Sequence, residues 1–85
     1  MKFRAITINT RGLQSPGRFV HFINTCRKWS NKEGIAAFLV QEHNLDPHKD
    51  RELQRLAGLK NFTLIVNYAP RGADGTYWGG TLTLK

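Results

Sequence analysis

Gly34-Ile35-Ala36-Ala37-Phe38-Leu39-Val40-Gln41-Glu42-His43-Asn44 is the stretch on which the fold of this 85-residue chain turns. Ile35 to Val40 is an apolar run with no polar alternation, and it stops abruptly at four polar residues. A short run of that kind suits a β-strand covered on both faces, the pattern of a central strand with parallel neighbours. Upstream, Phe3 to Asn9 sets Arg4, Ile6 and Ile8 against Phe3, Ala5 and Thr7 with a period of two, which reads as another strand. It ends at the turn residues Asn9 and Gly12. Between the two strands, Ser15-Pro16 carries a capping hydroxyl and a proline suited to a first helical turn. Phe19, Phe22, Ile23, Cys26 and Trp29 then recur at helical spacing, while Arg18, Asn24, Arg27 and Lys28 form a solvated basic face. This helix is expected to close near Ser30 and Asn31.

Downstream of the central run, Asp46-Pro47 repeats the cap-plus-proline signal. Leu53, Leu56, Ala57 and Leu59 give a narrow apolar stripe for a second helix ending near Gly58. Phe62 to Tyr68 is a third strand, Ala69 to Trp78 a loop, and Gly80 to Leu84 a fourth strand. The order is strand, helix, strand, helix, strand, strand, and the class is α/β with a mixed sheet. The last two strands are close enough to pair antiparallel. Two helices cover one face of such a sheet, whereas a central strand apolar on both faces requires a covering layer on each. The sequence therefore reads as an α/β unit lacking one covering layer, with the missing layer supplied by chain beyond Lys85 or by a partner. Poor stability or aggregation of the isolated chain is expected from the open face.

Thirteen Lys and Arg against six Asp and Glu leave a formal charge of +7, which raises the local concentration of polyanions and points to nucleic acid as a partner. Hydrophobic residues at 40% and charged residues at 22% exclude the composition of a disordered chain. The single cysteine, Cys26, excludes a disulfide scaffold and points to an intracellular location. No segment approaches the roughly 20 apolar residues of a membrane-spanning helix, and the first residues lack the apolar core of a signal peptide.

Two polar clusters lie where strands end: Asn9-Thr10-Arg11-Gly12 and Gln41-Glu42-His43-Asn44. Sites in open α/β sheets form at the carboxyl ends of parallel strands, where loops diverge over a rigid support. If the first two strands are parallel neighbours, Asn9 and Glu42 converge. An amide oxygen and a carboxylate are hard oxygen ligands suited to Mg²⁺, which keeps several waters and takes one or two carboxylates from a protein. The residues alone also allow Asn9 as a turn former and Glu42 as a solvated acid.

Ile6-Thr7-Ile8-Asn9-Thr10-Arg11-Gly12-Leu13, then Phe38-Leu39-Val40-Gln41-Glu42-His43-Asn44, then Trp78-Gly79-Gly80-Thr81-Leu82-Thr83-Leu84 together resemble the opening of an endonuclease/exonuclease/phosphatase domain. The wording Gln-Glu-His-Asn-Leu looks most like the apurinic/apyrimidinic endonuclease-like domains of non-LTR retrotransposons. The resemblance spans residues 1–85 and corresponds to the amino-terminal third of such a domain. It implies a partial four-layer α/β sandwich and a metal-dependent endonuclease that hydrolyses DNA phosphodiester bonds with Mg²⁺, or Mn²⁺ in its place. Glu42 matches the metal-binding glutamate and Asn9 the asparagine beside the metal and the scissile phosphate; Gln41 orients its neighbour. Some relatives carry an acid where Arg11 stands, and an arginine there can touch a phosphate instead. A DNA substrate would place the protein in the nucleus.

The family's water-activating His-Asp pair and its Asp-x-Asn element have no counterpart among these residues, so the chain alone is expected to be inactive. His43, His48 and Asp46 are read as solvated loop groups rather than a Zn²⁺ site, and His21 as a surface residue. Tyr77 and Trp78, with Arg71, are candidates for stacking on a nucleic-acid strand, with packing as the alternative. Arg71 to Gly75 is a connecting turn. Two other functions stay open: a non-catalytic basic module that binds nucleic acid without metal, and part of a phosphatase of the same family.

Overall fold

A computed structural model describes residues 3–15 and 17–85. Along the chain come β1 (Ala5–Asn9), α1 (Arg18–Glu33), β2 (Ala37–Gln41), a short 3-10 turn (Pro47–Lys49), α2 (Asp50–Leu59), β3 (Leu64–Asn67) and β4 (Thr81–Leu84). They form a mixed α/β unit with one four-stranded sheet ordered β1-β2-β4-β3. β1 runs parallel to β2, while β4 inserts between β2 and β3 and is antiparallel to both.

The register sorts side chains into rows that cross the whole sheet. Ile6, Phe38, Leu84 and Leu64 form one row, and Ile8, Val40, Leu82 and Val66 the next. These rows face the helices and join Phe19, Ile23 and Cys26 of α1 and Leu53 and Ala57 of α2 in a single core. Between them on the opposite face lie Thr7, Leu39, Thr83 and Ile65, then Asn9, Gln41, Thr81 and Asn67. That face is open: Leu39 is 42% and Ile65 47% exposed. The apolar run of β2 therefore divides by parity, Phe38 and Val40 fully buried and Leu39 facing outward.

Three local expectations change. The N-cap of α1 is Gly17, held at φ 82°, and not Ser15, whose carbonyl rather than hydroxyl takes the Arg18 N–H at 3.1 Å. The Pro16 part of that start signal lies outside the described residues. The helix also runs past Asn31 to Glu33, where Gly34 at φ 68° turns its N–H back to the Ser30 carbonyl at 2.9 Å. Arg27 is not a freely solvated cation: its guanidinium stacks 4.1 Å above the Phe62 ring and its Nε donates to the Lys60 carbonyl at 2.9 Å. It staples α1 to the turn after α2, and its charge sits over an aromatic face as a cation–π pair requires.

The parity of β2 yields a direct test. Phe38→Ala should cost about 3–5 kcal/mol, enough to unfold most molecules of a chain this small, whereas Leu39→Lys should cost less than about 1 kcal/mol and lower aggregation. Urea titration followed by circular dichroism separates the two. Equal losses would mean that Leu39 is packed.

Candidate metal-binding site

The segments singled out by the sequence meet at one end of the sheet. β1 and β2 are in register so that Asn9 lies opposite Gln41, and both chains leave the sheet there. The Thr10 N–H donates to the Gln41 carbonyl at 3.3 Å, and the Leu13 N–H to the His43 carbonyl at 2.8 Å. On the other side, the Glu42 N–H donates to the Gly80 carbonyl and the Asn44 N–H to the Gly79 carbonyl, each at 2.9 Å. The Asn44 side-chain oxygen accepts the Gly79 N–H at 2.5 Å. Residues 41–45 are thus the middle of three laced segments, with 9–13 on one side and 79–81 on the other.

The lacing holds because the backbone adopts conformations that most residues avoid. Arg11, Glu42 and Asn44 all have φ between 54° and 57°, and Gly12, Gly79 and Gly80 are also positive. A side chain on Gly80 would drive into the His43 ring and come within 2.8 Å of the Asn67 carbonyl, so glycine is required there. For Asn44 the left-handed region is unexceptional, but for a glutamate it is strained by about 1 kcal/mol or more. Such strain persists where the surroundings over-determine the backbone, and the two flanking segments do so.

His43 is the fixed point of this end. It is fully buried, contrary to its reading as a solvated loop histidine. Its Nδ1 accepts the Leu45 N–H at 2.9 Å, which leaves Nε2 to carry the proton and donate it to the Asn67 carbonyl at 3.0 Å. Its ring meets Tyr68 edge-on, 5.7 Å between centroids. Burial pushes its pKa down, against the opposing effect of backbone hydrogen bonds to Asn67 and Thr81. Tyr68 in turn donates to the Asp50 carboxylate at 2.6 Å and fixes the start of α2. The sequence signal for a buried histidine was its place between the strand end and Leu45, ahead of a Gly-Gly pair that makes room for a ring.

Asn9, Arg11 and Glu42 are all exposed at this end. The Asn9 side-chain oxygen accepts the Arg11 N–H at 3.0 Å, so Asn9 is both a turn former and an exposed amide beside β2. The carboxylates of Asp46, Asp50, Glu52 and Asp74 accept side-chain hydrogen bonds from His48, Tyr68, Arg55 and Thr76 respectively. Glu33, at the end of α1, and Glu42 have no such contact among the described residues; of the two, Glu42 stands at the laced strand ends, its oxygens available to an external cation. One carboxylate with one or two amide oxygens fits a divalent ion that keeps most of its water. No group of three His, Cys, Asp or Glu able to hold a metal occurs among the described residues.

Tyr77 is not among the residues laced at the strand ends. It lies in a separate cleft of about 310 Å³ with Gln14, Asn44, Asp46, Lys49 and Trp78, and its backbone bridges to Arg71. Asn44 is the residue common to the cleft and the laced strand ends. Trp78 is 62% exposed, so it is not a packing residue. His48 is tied to Asp46 through Nδ1 at 2.9 Å, and that contact and the one from the His48 N–H hold the Asp46 carboxyl below the usual range. Comparison with protein-family models, with curated proteins and with solved structures gives no match to this chain.

Two outcomes follow from the clamp. Because His43 binds its proton less readily folded than unfolded, the unfolded state takes up more protons below about pH 6.5, and stability should fall with pH from there toward the lowered folded value. Urea midpoints between pH 7.5 and pH 5 should show this slope in the native chain and lose it in His43→Gln; a flat native profile would contradict the buried neutral imidazole. Glu42→Gly should raise stability by about 0.5–1 kcal/mol by relieving the left-handed backbone, a gain that disappears if φ at that position is ordinary.

Proposed function

We propose that this chain supplies the Asn9 and Glu42 side of a divalent-metal site that acts on DNA phosphodiester bonds, in an endonuclease of the endonuclease/exonuclease/phosphatase type. The observation that carries this reading is the lacing itself. The three segments whose wording resembles that family are hydrogen-bonded to one another at a single sheet end. They carry there a glutamate at φ 57° whose carboxylate makes no hydrogen bond or ion pair among the described residues. A charged residue kept at a strained backbone position on an over-determined turn points to a use for its side chain, and a preorganised metal ligand is such a use.

Glu42 and the Asn9 amide oxygen would hold Mg²⁺ or Mn²⁺. A bound ion of this kind supplies charge to offset that developing on a phosphodiester. Glu42 contributes the negative charge that attracts the cation, Asn9 a neutral oxygen that does not over-neutralise it, and Gln41 a flanking amide on the same open face. Arg11, exposed on the adjoining turn, offers a fixed positive charge to a backbone phosphate. Water activation is not assigned to any residue of this chain. Among its histidines, His43 is buried with both ring nitrogens engaged. The four-layer sandwich belongs to the same proposal: the open sheet face, with its uncharged rows through Leu39 and Gln41, is where the second pair of layers would pack.

The test is site-resolved metal binding. Adding Mn²⁺ to the isotope-labelled chain should broaden amide signals of residues 9–11 and 41–43 first, with a dissociation constant in the millimolar range, and Mg²⁺ should compete. Glu42→Gln should abolish the localised broadening, and the chain alone should leave supercoiled DNA uncut. Broadening centred on Asp46 and His48 instead would overturn the assignment. DNA binding that survives both chelator and Glu42→Gln, and falls steeply with salt, would favour the metal-free basic module.

A further inference from the structure

Among the described residues β1 is an edge strand: it pairs with β2 alone, and its other side presents backbone N–H and C=O groups with no strand beside them. Directly beside that free edge, on the helix side of the sheet, runs a groove of about 430 Å³ between β1 and α1. Ile8, Phe22 and Trp29 line it, and Trp29 leaves 44% of its surface to solvent. Arg18 and His21 stand at its rim, and no Asp or Glu lines it among the described residues. Arg4 and Arg11, both exposed, bracket the two ends of β1.

We propose that this edge and groove form a docking site for an extended segment of another protein, apolar at alternate positions and acidic at its ends. The inference does not depend on the metal-site reading. A strand added to β1 continues the backbone ladder and sends every second side chain to the side of Ile6 and Ile8, into the groove. The alternate side chains lie beside Thr7 on the open face. The cations at both ends of β1 and at the groove rim set the charge of the flanks. A second copy of this chain is the poorer fit, because pairing β1 with itself gathers Arg4, Arg11 and Arg18 from both copies on molecules of +7 each. A nucleic-acid strand has no amide ladder to continue the sheet and no use for an apolar floor.

The experiment uses the 85-residue chain and a synthetic peptide of alternating valine and threonine with two aspartates at each end. Amide and indole NMR signals should shift at β1 and at Trp29, and β1 amides should gain protection from hydrogen exchange. N-methylating the peptide amides on one edge should weaken binding at least tenfold, with the other edge unaffected. Arg18→Glu should weaken the aspartate-flanked peptide several-fold and strengthen a lysine-flanked one. The gain with the second peptide shows that the variant is folded. Absence of shifts at β1 and Trp29 at millimolar peptide overturns the proposal, as does equal affinity for both N-methylated forms. Self-association that protects the same amides without peptide overturns it in favour of a second copy.

Discussion

The carboxyl end of this sheet depends on one neutral imidazole. His43 has no water to turn to, so each ring nitrogen must find a partner in the protein, and the two it finds belong to different segments: the Leu45 N–H just downstream and the Asn67 carbonyl of β3. That double engagement fixes the tautomer and draws the turn after β2 toward β3, across the width of the intervening β4. Gly80 is the geometric condition for this, since any side chain there would occupy the ring's place. The positions of Glu42, Asn44 and the Gly79-Gly80 pair follow as consequences of seating the ring.

The two faces of the sheet show why the chain is unusual for its size. Its helices, its core and the Arg27–Phe62 staple all lie on one side. On the other side, Leu39 and Ile65 face outward in a setting of threonines and amides, with no charged residue in either of the full rows. A chain with nineteen charged side chains that keeps both rows neutral has placed its solubility elsewhere. The same economy shows at β1, whose edge is bracketed by arginines while no acid lines the groove beside it among the described residues. Charged residues at the ends of an edge strand discourage pairing with a like copy and leave pairing with an oppositely charged strand open.

Much of this was legible in the residues because period and parity are local. Alternation in Ile6-Thr7-Ile8-Asn9 fixed which side of β1 is covered, and the spacing of Phe19, Ile23 and Cys26 fixed the buried side of α1. Asp46 before Pro47 is a cap, its carboxylate accepting the His48 N–H at 2.9 Å, but of the short 3-10 turn; α2 itself begins at Asp50 behind Lys49, with no side-chain cap. What local patterns could not supply were relations between distant segments. Nothing adjacent to His43 announces Asn67, 24 residues away, and nothing adjacent to Arg27 announces the Lys60 carbonyl, 33 residues away. The Asn9–Glu42 neighbourhood was inferred from a rule about parallel strands, and the observed parallel register makes Asn9 the partner of Gln41. The loop of Tyr77 folds back on Arg71, a pairing no periodicity encodes.

Glu42 concentrates the tension between stability and use. A glycine at this position would remove the backbone strain, and an asparagine would tolerate it, as Asn44 does two residues later at nearly the same φ. Neither offers a full negative charge. The surrounding structure bears the strain: two backbone hydrogen bonds from the flanking segments and a buried histidine one residue on hold the turn whatever occupies it. Because the clamp and not the glutamate fixes the backbone, the carboxylate is free of structural duty, and its position would survive replacement by a neutral side chain. That separation of support from chemistry is what a preorganised ligand requires. It also places the fragility of the turn at His43 and Gly80 rather than at Glu42, the residue proposed as a ligand.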